Sequence, residues 1–205
     1  MDAARNGSLK RRHTAAWLSL VALMALAMLL AACGSSDETV LPVSPTAQLS
    51  AQDYFEQGNA LYEQGDIQAA VDAYRQAAAL DEQNAGYWHN LGVAQYSLNA
   101  LDEARASFRR GLALEPDDAE LNYLIGVVAV QFEELGEAET YLTRANQLDP
   151  DLPEPYFGLG VLYRLQGKTE QAISAFETFL RIGPGQDPNA TQMAQQELDA
   201  LRAGQ

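Results

Sequence analysis

The chain has 205 residues, 47% of them apolar, enough for one domain of ordinary size. It carries 13 Lys and Arg against 28 Asp and Glu, a formal net charge of -15, which argues against nucleic acid as a partner because such affinity comes from cations neutralising phosphates. One Cys forbids an intramolecular disulfide, two His argue against a His-rich metal site, and 20% charged residues with 8 Pro and 15 Gly exclude wholesale disorder.

Residues 1–32 hold four bases, Arg5, Lys10, Arg11 and Arg12, and one acid, Asp2; the remainder carries nine bases against 27 acids, a net of −18. A basic head on an acidic body reads as an address rather than as part of the fold. Lys10-Arg11-Arg12 leads into an 18-residue apolar stretch, Ala15 to Ala32. As a helix this is roughly 27 Å long, against about 30 Å for a bilayer core. The bases at its start are expected to keep the N-terminus in the cytoplasm and to place the rest of the chain outside. The stretch ends in Leu30-Ala31-Ala32-Cys33 and then Gly34-Ser35-Ser36. That tetrapeptide resembles the lipobox of bacterial lipoproteins. The resemblance implies a cleaved signal peptide over 1–32, thioether diacylglycerol on Cys33, and a body lipid-anchored outside the cytoplasm at the cell membrane or outer membrane. Two or three acyl chains hold firmly where a single chain binds only marginally. The alternatives are that Cys33 is a small buried hydrophobe, or that the stretch is an uncleaved membrane anchor. Arg11-Arg12 is followed by His13-Thr14-Ala15, which does not match a twin-arginine signal, so the general secretory route is expected. Residues 34–50 are rich in Ser, Thr and Pro without helical periodicity and read as a linker, roughly 21–25 Å end to end as a flexible chain.

The body repeats with a period of 34. Gly58, Gly92, Gly126 and Gly160 recur at that spacing, as do Ala70, Ala104, Ala138 and Ala172, then Tyr74, Phe108, Leu142 and Phe176, then Leu80, Leu114, Leu148 and Ile182. The blocks are 51–84, 85–118, 119–152 and 153–186. Block two supplies Trp88, Leu91-Gly92, Ala104, Phe108 and Pro116; block four supplies Tyr156, Leu159-Gly160, Tyr163, Ala172, Phe176 and Pro184. In this tandem form the pattern resembles the tetratricopeptide repeat (TPR). It implies an all-α, right-handed solenoid of four helix-turn-helix repeats plus a C-terminal capping helix. Gly65, Asn99 and Gly167 mark tight turns between the two helices of a block, being types that tolerate positive φ. Pro116, Pro150 and Pro184 mark the end of second helices. Block three departs: Asn122 replaces the aromatic, and its turn glycine stands three places late as Gly136. Gln57 and Glu82 depart in block one, and Gly111 and Phe179 replace a small Ala, the bulk of Phe179 being placed to pack on a cap. That cap spans 188–203, with Ala190, Met193, Ala194, Leu198 and Leu201 on one stripe and polar residues behind it. Residues 187–205 are therefore read as capping helix and tail.

The sequence offers no catalytic constellation. His89 is the only histidine outside the leader, no Cys–His or multi-His set exists, and Gly158-Leu159-Gly160 lacks the third glycine and preceding strand of a dinucleotide loop. No enzyme activity, metal, cofactor or small-molecule substrate is expected. In the family the first helices line a concave face, with the fifth, ninth and twelfth positions of each block pointing into it. Here the fifth positions are Phe55, His89, Tyr123 and Phe157, the ninth Asn59, Val93, Val127 and Val161, and the twelfth Tyr62, Tyr96, Val130 and Arg164. This aromatic and apolar ladder suits an extended segment or amphipathic helix of a protein partner. Asn59 and Asn90 match the two asparagines of the carboxylate-binding subset of the family, but Phe55, Glu120 and Leu124 occupy its cationic positions, so that clamp is absent. The same aromatics are equally compatible with simple helix stacking. The expected function is that of a membrane-anchored adaptor in envelope assembly or secretion, similar in plan to pilotins and cell-wall hydrolase scaffolds. The alternative is a structural spacer or self-associating envelope subunit.

Overall fold

The computed structural model describes residues 49–183 and 187–204. The leader over 1–32, Cys33, the linker up to residue 48, and Pro184 lie outside the described residues. Within them the chain forms nine α-helices: α1 Ala51–Glu63, α2 Ile67–Leu80, α3 Ala85–Ser97, α4 Leu101–Leu114, α5 Ala119–Gln131, α6 Leu135–Leu148, α7 Glu154–Leu165, α8 Thr169–Ile182 and α9 Pro188–Ala203. Each helix packs on the next in the sequence, so the eight helices α1 to α8 stack as four hairpins and α9 closes the row against α8. The all-helical solenoid read from the 34-residue period is the fold observed.

Each hairpin turns in the same way. The backbone N–H groups of Asp66, Ala100, Glu134 and Lys168 donate to the carbonyls five residues earlier at 2.8 to 3.0 Å, and those of Gly65, Asn99, Glu133 and Gly167 donate three back. This is the Schellman arrangement that satisfies the last carbonyls of a helix around one left-handed residue. Gly65 and Gly167 hold φ of 82° and 71°, and Asn99 holds 59°. In the third hairpin the left-handed residue is Glu133, at φ 58°, and not a glycine. Gly136, the late glycine, sits inside α6 with open space around its Cα and takes no part in the turn. The turn stays in register because packing of α5 on α6 fixes it, at the cost of a strained Glu. Glycine placement alone pointed three residues too far along the chain.

The core explains the repeating residues. A Cβ on Gly58, Gly92 or Gly160 would meet the ring of Tyr74, Phe108 or Phe176 at 2.5–2.6 Å, and one on Gly126 would meet Leu142 Cγ at 2.7 Å. Each mid-helix glycine is thus a seat for the large side chain of the second helix of its own repeat. Ala70, Ala104, Ala138 and Ala172 are fully buried, and Phe108, Leu142 and Phe176 with them. Phe179 is buried with Ala194 and Leu198 of α9, which accounts for its bulk where other repeats are small. The cap differs from its sequence reading in one residue: Met193 is 53% exposed. It lies a full helical step of about 100° from Ala194 and clears the buried stripe.

The cations stitch neighbouring repeats together on the surface. Arg110 pairs with Glu82 at 3.3 Å, Arg105 with Glu134 at 2.8 Å, Arg144 with Asp117 at 2.6 Å, Lys168 with Glu139 at 3.3 Å, and Arg202 of α9 with Glu177 at 2.5 Å. Arg105 also stacks over the ring of Phe132 at 4.3 Å.

Candidate functional site

The structure gives some of the residues picked out from the sequence partners of their own and brings others together around shared hollows. At the N-terminal end Phe55 packs inward, its ring 5.0 Å from Tyr87 and 5.8 Å from Tyr74. The Asn59 side-chain oxygen accepts from the Tyr74 hydroxyl at 2.8 Å, and the Tyr62 hydroxyl lies 3.0 Å from Ser97 Oγ, joining α1 to α3. Phe55 against Tyr87 and Tyr62 against Ser97 bind the first two repeats to each other, while Asn59 holds Tyr74 within the first. His89 Nε2 lies 3.5 Å from Glu120 Oε1 across the next boundary, and Asn90 is half-buried beside it. Arg164 turns toward the cap, with its Nε 3.1 Å from Glu197 Oε2 of α9.

Tyr96, Tyr123 and Phe157 do come together. With Val127, Val130 and Val161 they line a hollow of about 270 Å³ between α3, α5 and α7, all first helices of their repeats. Tyr123 and Phe157 also line a second hollow of about 320 Å³, which is closed by Pro153 and Glu154 at the start of α7, Phe179 and Gly183 at the end of α8, and Asp187 and Met193 of the cap region. Phe157 is fixed from behind by edge-on contacts to Phe176 at 5.8 Å and Phe179 at 5.3 Å. It therefore serves both as core and as wall. Burial pushes the Tyr123 hydroxyl up to about 12, with nearby Glu154, Tyr96 and Glu120 adding to the effect. The phenol stays neutral at physiological pH and presents an apolar ring flanked by acids.

Sequence reasoning placed the aromatic and valine walls on this face but missed Gln131, Gly158, Pro153, Glu154, Asp187 and Met193. One signal was available: the second position of each block reads Gln52, Gly86, Glu120 and Glu154, so acids appear at matching positions on either side of Tyr123. Gln131 and Gly158 enter the first hollow through the packing of α5 on α7, and Pro153, Asp187 and Met193 enter the second through the position of α9, neither of which periodicity encodes. Among the described residues no group of three or more His, Cys, Asp or Glu is placed to hold a metal ion. The arrangement offers apolar contact, ring faces and carboxylates, which are means of binding.

Models of the tetratricopeptide repeat match residues 85–118, 119–152 and 156–182, and a TPR repeat model matches 58–99. Among solved structures, the chain is similar to the MamA protein, with 25% identity and a TM-score of 0.65 over 75% of this chain and 81% of that one. It is also similar to YrrB, described as a TPR protein with an unusual peptide-binding site, with 25% identity and a TM-score of 0.60 over 75% and 77% of the two chains. The first TPR of Spaghetti, bound to an HSP90 peptide, shares the fold at 22% identity and a TM-score of 0.56, over 58% of this chain and 94% of its own. No protein of curated function matches the sequence.

Proposed function

This chain is a tetratricopeptide-repeat protein, and on that premise we propose that it is a non-catalytic scaffold that holds a segment of a partner protein on the face built by α3, α5 and α7. The observation that carries the reading is the pair of adjoining hollows sharing Tyr123 and Phe157, where aromatic rings and valines from three first helices converge on one concave surface. YrrB, whose description names a peptide-binding site, supports it by structural similarity. A photo-reactive residue at Tyr96, on the wall of the first hollow, is expected to crosslink a protein in cells of the native host, while one at exposed Ala106 on α4 does not. Val127→Trp, which fills the hollow, is expected to reduce that adduct about tenfold. Equal adducts from both positions, unchanged by Val127→Trp, would sink the proposal.

We further propose that the scaffold works at the cell envelope, tethered by lipid on Cys33, in assembly or secretion. The support is the basic cluster, the apolar stretch and Leu30-Ala31-Ala32-Cys33 in sequence. Cys33→Ser is expected to abolish lipid labelling and leave the uncleaved precursor; a mature, membrane-bound Cys33→Ser protein overturns the anchor.

A further inference from the structure

The described body carries nine Lys and Arg against 25 Asp and Glu. Eight of the nine cations, all except Arg181, are in ion pairs with acids, most of them bridging one repeat to the next. The cations are thus taken up mainly along the repeat boundaries, while most of the surplus acids, among them Glu63, Asp81, Glu103, Glu115 and Glu170, stand exposed to solvent. Among the described residues no Lys or Arg lines either of the two adjoining hollows, whereas Glu154 and Asp187 line the second.

These two acids differ in what they already do. Asp187 caps α9, accepting from the N–H groups of Asn189 at 2.8 Å and Ala190 at 3.2 Å. Glu154 Oε2 is buried from solvent and accepts no hydrogen bond among the described residues. A buried carboxylate oxygen without a donor is costly, and it favours a charged donor over a neutral one. Beside it stand the rings of Tyr123 and Phe157, whose faces attract cations. The volume, about 320 Å³, exceeds the needs of one long side chain. Acids, aromatic walls and an unsatisfied acceptor converge on one chemistry.

We propose that the second hollow receives a lysine or arginine side chain of the protein segment held in the first, with Glu154 as its counter-charge and Tyr123 and Phe157 as walls. This rests on the scaffold reading and names the chemistry of its partner: a segment with apolar side chains for the valine-lined hollow and one basic side chain beside them. The acidic body attracts such a segment from a distance, as an excess of one charge sign does generally.

The full chain, its Glu154→Gln variant and its Val127→Trp variant are used to select binders from a display library of random twelve-residue peptides. The expected result is that peptides retained by the native chain and lost with Val127→Trp are rich in Lys or Arg and bind Glu154→Gln about tenfold more weakly. Replacing that basic residue by norleucine costs the native chain the same factor and costs Glu154→Gln nothing more. Glu154→Gln keeps shape and volume, and its thermal melt is compared with the native one so that a fold defect is seen directly. Peptides that depend on Val127 but lack basic residues, or that ignore Glu154→Gln, overturn the cation site and leave the scaffold reading standing. Selection of no peptide sensitive to Val127→Trp overturns both.

Discussion

Tyr74, Phe108, Leu142 and Phe176 each rest on the mid-helix glycine of the first helix in their own repeat, and this single contact ties two of the repeating series together. The pairing was legible in sequence as two series of equal period, though not as a mutual seat. The left-handed turn position was legible where Gly65, Asn99 and Gly167 stand, but not at Glu133, where the residue type contradicts its backbone. A left-handed non-glycine residue costs about 1–2 kcal/mol, partly offset in a glycine variant by greater freedom of the unfolded chain. Glu133→Gly is therefore expected to raise the stability by about 1 kcal/mol, read as a higher urea midpoint at unchanged slope. A midpoint that stays or falls means the turn is not strained there.

Helices α2, α4, α6 and α8 begin after Asp66, Ala100, Glu134 and Lys168, and only Asp66 supplies a side-chain cap. The four residues nevertheless share one backbone geometry, φ between −81° and −86°, because the preceding Schellman turn sets it. At the C-terminal end α9 covers Phe176 and Phe179 with Ala194 and Leu198. A solenoid needs such a cover, since each repeat buries its apolar side only against a neighbour. Ending the chain after Gly183 is expected to cost about 2–4 kcal/mol and to produce concentration-dependent association in light scattering. A truncated chain that remains a monomer of native stability would show that α9 is dispensable. The stripe of α9 was readable from its period, whereas the outward turn of Met193 was not.

Across the whole molecule the acidic excess stands mostly on the exposed surface, and the buried carboxylate oxygen of Glu154 is set apart from it. The cations bind repeat to repeat, and the aromatic hollows keep the carboxylate of Glu154 without a matching base. The sequence by itself determined the repeat, its helical pairs, the buried Gly–aromatic and Ala series, and the first-helix face as the place where aromatics gather. The repeat, its pairs and the series follow from periodicity, which is a local property repeated along the chain; the choice of the first-helix face follows from the resemblance to the tetratricopeptide repeat. Only the tertiary structure decided which of the chosen residues share a surface. Tyr96, Tyr123 and Phe157 do, while Phe55 and Tyr62 lock the first two repeats together, Asn59 holds Tyr74 within the first, and Arg164 serves the cap. The physical reason is that equivalent positions in successive repeats have different neighbours at the ends of the row than in its middle. A cap after the last repeat and, among the described residues, no repeat before α1 redirect side chains that the sequence presents as equals.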